Sequence, residues 1–167
     1  MDGFYASSCS QSEMMGFLRN VFGEVAYTFI HEAELRHRFL IRGGLAYGPV
    51  IHGRALGDQA SYILRDNSWY RACILLGLPM VQAHLSEEKA PPFGIYVHES
   101  ARTFASQGER PLGDAWLSSI AERETRKGLE VALEAYFVWC EERNLRLDYP
   151  QDRIMEHRKM AKQFFIE

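Results

Sequence analysis

The chain has 167 residues, 47% of them hydrophobic, which suits one domain with its own core. Its 19 Lys and Arg against 22 Asp and Glu leave a net charge of −3, which argues against a broad nucleic-acid-binding face. No apolar run approaches membrane-spanning length, and the first residues lack the basic and apolar segments of a signal peptide, so a cytoplasmic protein with no membrane or nucleic-acid partner is expected.

Gly3-Phe4-Tyr5-Ala6-Ser7 reads as a short strand. Ser10 and Glu13 form a capping-box pattern that opens a helix running to about Leu35. Met14, Leu18, Val21, Phe22, Val25 and Phe29 recur on one face of it. Cys9, Cys73 and Cys140 are widely spaced and odd in number, so reduced thiols are expected and neither a metal pair nor a disulfide framework.

Phe39-Leu40-Ile41 is read as the body of a strand over 39–47. Gly43, Gly44 and Gly48 punctuate that strand. Glycine there weakens packing and is expected where a bulge forms, or where a ligand or another backbone comes close. Pro49-Val50-Ile51-His52-Gly53 reads as the hairpin partner of this strand. Residues 54–68 are polar and without period; a loop this long is a candidate functional segment. The run Arg71 to Leu76 fits either a strand or a helix.

Pro79 suits the first position of a helix reaching about Lys89. Phe93 to His98 alternates as a strand. Residues 99–112 are irregular, with one helical turn at most. Asp114 is read as the cap of a helix to about Glu142, with Leu129, Leu133, Tyr136 and Cys140 on one face. Pro150 starts a last amphipathic helix carrying Ile154, Ala161 and Phe165. The element order predicts an α+β fold with a mainly antiparallel sheet and helices on one face. Residues 1–110 are read as its core. Residues 111–167 are read as a C-terminal helical extension packed on the same domain.

Two spaced motifs carry a resemblance. Arg42, Gly44, Gly48, Pro49 and Val50 follow the pattern Arg-x-Gly-x-x-x-Gly-Pro-Val. Gly77 and Ala83 follow Gly-x-x-x-x-x-Ala at a helix start, with Glu87 or Glu88 at the acidic end, and Pro92 to His98 takes the place of the next strand. Over roughly residues 1–105 the chain resembles the class III nucleotide cyclases, and within them the bacterial pyrimidine cyclases of Pycsar antiphage systems. The resemblance implies a ferredoxin-like fold and a homodimer with sites at the subunit interface. It implies conversion of a nucleoside triphosphate, a pyrimidine one, to a 3′,5′-cyclic nucleotide and pyrophosphate in antiphage signalling. The cofactor implied is Mg2+ or Mn2+, which neutralises the triphosphate and activates the ribose hydroxyl.

The family holds its metals with two aspartates. Asp2 matches the second, and is the one residue carried over as catalytic and metal-binding. The strand bearing the first would lie upstream of Met1, so a late-placed start is one expectation. Val81 and Leu85 stand where the family has an Asn that orients the ribose and an Arg that stabilises transition-state charge. Ile74 stands at the base-reading Asp of purine cyclases. These departures support a second expectation: a non-catalytic domain that kept the fold and serves interaction or regulation.

Each candidate also has a plainer reading. Asp2 alone is an exposed terminal carboxylate, and a single carboxylate is a poor magnesium site. Arg42 is read first as a hairpin support or the partner of a carboxylate, and second as a phosphate ligand. Tyr47 and Trp69 are read as core before base-stacking surfaces. His52, His84 and His98 lack metal-ligand spacing. Arg153, Arg158, Lys159 and Lys162 make a solvated basic face.

Overall fold

The computed structural model describes residues 3–57, 62, 67–118, 123–143 and 149–166. The helices are α1 (Gln11–His31), α2 (Ser68–Ala72), α3 (Leu78–Glu87), α4 (Glu99–Thr103), α5 (Arg123–Glu142) and α6 (Gln151–Ile166). The strands are β1 (Gly43–Leu45), β2 (Ile51–His52), β3 (Leu75–Leu76), β4 (Gly94–Val97) and β5 (Trp116–Ser118). Single 3-10 turns lie at Leu35–His37 and Gly53–Ala55.

The chain is mainly helical, and the expected ferredoxin-like antiparallel sheet is not what forms. One small sheet runs β1-β4-β5, with β1 parallel to β4 and β4 antiparallel to β5. A separate ribbon pairs β2 with β3. The parallel pair has a simple cause. Helix α3 lies between β1 and β4 in the chain and packs on both, and a helical crossover brings the second strand back in the same direction. Pro49 to Gly53 therefore does not fold back on β1. Its residues Ile51 and His52 pair with Leu76 and Leu75 instead.

The helices do not keep to one face. A Cβ on Gly43 would meet Phe22 of α1 at 3.0 Å, whereas one on Gly44 would meet Ala83 of α3. Successive strand positions point to opposite faces, so α1 covers one side of β1 and α3 the other. Strand β1 is shorter than the expected 39–47: Phe39 is exposed, and Arg38 to Arg42 lie outside the regular ladder. Residues 3–7, expected as a strand, are exposed and make no ladder.

The helical faces read from sequence are largely those buried. In α1, Ser10 caps the N-terminus by accepting from the Glu13 N–H at 3.3 Å. The Glu13 carboxylate accepts from Ser8 Oγ at 2.8 Å rather than returning to Ser10. Phe22, Ala26 and Phe29 are buried; the helix ends at His31, short of Leu35. Arg38 explains the stop. It donates to the Glu32 carbonyl at 2.8 and 3.0 Å and lies 5.2 Å over the Phe29 ring, satisfying carbonyls the helix leaves open.

Helix α5 buries Leu129, Leu133, Tyr136, Phe137 and Cys140, and α6 adds Ile154 and Ala161 to the same core. The helix expected from Asp114 starts at Arg123, with β5 before it. Arg71 to Leu76 divides into the end of α2 and then β3. Phe93 is buried against Phe29 with ring centroids 5.1 Å apart, yet has φ of 61°. It is the third residue of a turn closed by Gly94 N–H donating to Pro91 O at 2.9 Å. A left-handed Phe costs about 1–3 kcal/mol. Burying the ring returns about as much.

Candidate functional site

The two motifs meet across β1 and α3. Arg42 bonds Glu87 at 2.7 Å. A Cβ on Gly44 would lie 1.8 Å from the Ala83 carbonyl oxygen. One on Gly48 would lie 2.8 Å from the Pro79 ring, and one on Gly77 2.6 Å from the Pro49 carbonyl. The pairs run 42 with 87, 44 with 83, 48 with 79 and 49 with 77. Strand and helix are thus zipped in opposite directions, and the glycines answer the expected close approach of another backbone. Gly48 and Gly77 also have φ of 153° and 151°, where a side chain is disfavoured.

Arg42 is nine-tenths buried, so its charge needs partners. Glu87 neutralises it. Its Nη1 also donates to His157 Nε2 at 3.0 Å, 115 residues away. Arginine has donors only, so Nε2 must accept and His157 carries its proton on Nδ1. That N–H donates to Tyr149 Oη at 2.5 Å. The result is a polar chain, Glu87–Arg42–His157–Tyr149, from α3 through the segment before β1 to α6. Burial, then the charges of Arg42 and Arg153, push the His157 pKa down to about 4. Burial pushes Tyr149 up. This chain reads as a tertiary tie. It engages the Arg42 guanidinium from two sides, the carboxylate reading rather than the phosphate one.

The outer face of α3 is different in kind. Leu78, Val81 and Leu85 are 67%, 55% and 53% exposed. They are spaced at i, i+3 and i+7, so they line one face. Leu76 and Ile51 of the β2–β3 ribbon are also exposed, and the ribbon leads directly into α3. Val81 and Leu85 offer neither a hydrogen-bond donor nor a charge to a ribose or a phosphate. Tyr47 and Trp69, read as core, are exposed instead.

Asp2 lies outside the described residues. Among the described residues no group of three His, Cys, Asp or Glu side chains could hold a metal. His98 caps α4, its Nδ1 accepting from the Ser100 N–H at 3.1 Å, and His52 Nε2 lies 3.2 Å from Ser7 Oγ. The basic face of α6 is partly paired: Arg158 bonds both Glu134 and Glu141 of α5, and Lys162 lies 3.6 Å from Glu134. Sequence reasoning missed His157 and Tyr149, whose separation from Arg42 leaves no local signal. The α3 stripe was visible only as departures at Val81 and Leu85; its i, i+3, i+7 period was there to find. Among the described residues no helix is long and apolar enough to cross a membrane. No protein-family model, curated protein or solved structure matches this chain.

Proposed function

We propose that this chain is a nucleotide-cyclase-like domain that acts by protein interaction rather than turnover, and that the outer face of α3 receives a second copy of the same chain. The observation that carries this reading is the exposed stripe Leu78–Val81–Leu85. It falls on the helix whose family counterpart holds the ribose-orienting and charge-stabilising groups. Apolar side chains there gain by excluding water, not by chemistry. The homodimer implied by the resemblance supplies the occupant. The cytoplasm is the proposed compartment.

The zipped motifs favour a second reading, an active pyrimidine cyclase in antiphage signalling. Their mutual packing ties together the residues that carry the resemblance. Asp2 would then hold Mg2+ or Mn2+ against a nucleoside triphosphate.

One preparation tests both. Sedimentation of the full chain at tens of micromolar is expected to give a dimer, and Leu85→Asp a monomer. A wild-type monomer at that concentration sinks the interaction reading. Incubation with ATP, GTP, CTP and UTP separately, with Mn2+, is expected to yield no cyclic product. A cyclic product lost in Asp2→Ala establishes the enzyme instead.

A further inference from the structure

We propose that His157 is an acid-operated latch that fastens α6 to the β1–α3 unit. Helix α6 lies along α5 through Ile154 and Ala161 in the shared core, and through Arg158 to Glu134 and Glu141. Its tie to the strand side runs through His157, only 8% exposed, to Arg42. That tie works in one protonation state. A neutral imidazole presents an acceptor at Nε2 to the guanidinium. A protonated one presents a donor to a donor, and a cation to a cation, 3.0 Å apart.

The surroundings add to the effect rather than relieve it. From the segment before β1 comes Arg42, with Glu87 of α3 on its far side. On α6 itself, Arg153 is a further positive charge felt by His157. From the segment before α6 comes the Tyr149 hydroxyl, with Cys140 and Tyr136 of α5 beyond it, both made harder to ionise by burial. The described neighbours thus place no carboxylate on the imidazole to receive its charge. Glu87 is already engaged by Arg42. Acid therefore turns an attraction into a repulsion, and the part of α6 around His157 parts from the strand side.

Hydrogen exchange of the full chain tests this between pH 6.5 and 5.0, where Glu134, held below the usual carboxylate range by its hydrogen bond from Arg158, keeps its charge. After correction for intrinsic rates, protection of the α6 amides around His157 is expected to fall roughly tenfold or more. It is also expected to stay below that of the buried turns of α1 at both pH values. In His157→Gln the amide carbonyl still accepts from Arg42 and its NH2 still donates to Tyr149, so the fall should shrink below about threefold. Equal protection of α6 and α1, or an undiminished fall in His157→Gln, overturns the latch. Should that variant not fold, the carbon-detected titration of His157 in the wild-type chain decides. A midpoint near 6.5 overturns the proposal, and one well below 5.5 upholds it.

Discussion

Gly44 and Ala83 are held so close that a Cβ at position 44 would sit 1.8 Å from the Ala83 carbonyl oxygen. The obstacle is helix backbone, which cannot rotate away as a side-chain tip can. Gly44→Ala must therefore push α3 off β1 and is expected to cost about 3 kcal/mol or more. Gly23→Ala is the matched control. That glycine lies inside α1, and a Cβ there meets nothing within 4 Å. Alanine should stabilise the helix by about 0.5–1 kcal/mol. Urea unfolding of the two variants should move in opposite directions.

Arg42→Met removes one cation and strands two partners. Glu87 and His157 Nε2 each lose the donor they face. Breaking a largely buried pair from one side costs about 3 kcal/mol, because the remaining charge stays desolvated. Adding Glu87→Gln should recover part of that loss, which a double-mutant cycle reads directly. The His157 midpoint should also rise in Arg42→Met, since one of the charges that depress it is gone.

Global stability should fall in acid for the reason that depresses His157. Its folded pKa of about 4 lies below the ordinary 6.5, so across that interval the unfolded chain binds the extra proton. Stability is complete above pH 6.5 and is lost as pH falls toward 4. From pH 7 to pH 5 the loss from this one group should be about 2 kcal/mol. Urea titrations at the two pH values, repeated on His157→Gln, isolate it.

The three thiols should divide into two classes. Cys9 and Cys73 are exposed, whereas Cys140 is buried and its thiol is pushed up by that burial. At pH 7.5 a thiol-reactive chromophore should consume two equivalents quickly and the third only with unfolding. Three fast equivalents would show α5 and α6 to be parted in the native state.

Leu85→Ser and Val81→Ser should leave the monomer's stability within about 0.5 kcal/mol, because both side chains already stand more than half exposed. Their effect should fall on self-association, read by sedimentation. A large loss of folding stability would mean the stripe is packed within the chain.

How much of this was legible beforehand follows the range of each interaction. The faces of α1, α5 and α6 were readable because a 3.6-residue period writes burial into neighbouring positions. The glycines of β1 announced a close approach, and Arg42 a carboxylate, because residue type limits what a position tolerates. The ribbon of β2 with β3 and the strand β5 were not readable. Two- and three-residue strands are too short to show a period of two.

The sequence by itself determined which helical faces are apolar, where glycine is obligatory and which charges need an answer. Tertiary structure alone decided that β4 runs parallel to β1, that α1 and α3 take opposite faces, and that His157 answers Arg42 across 115 residues. The reason is physical. Local pattern fixes what each segment must bury, but not where in the chain its partner lies. That partner is set by which long-range contacts together bury the most surface while leaving no buried charge unpaired.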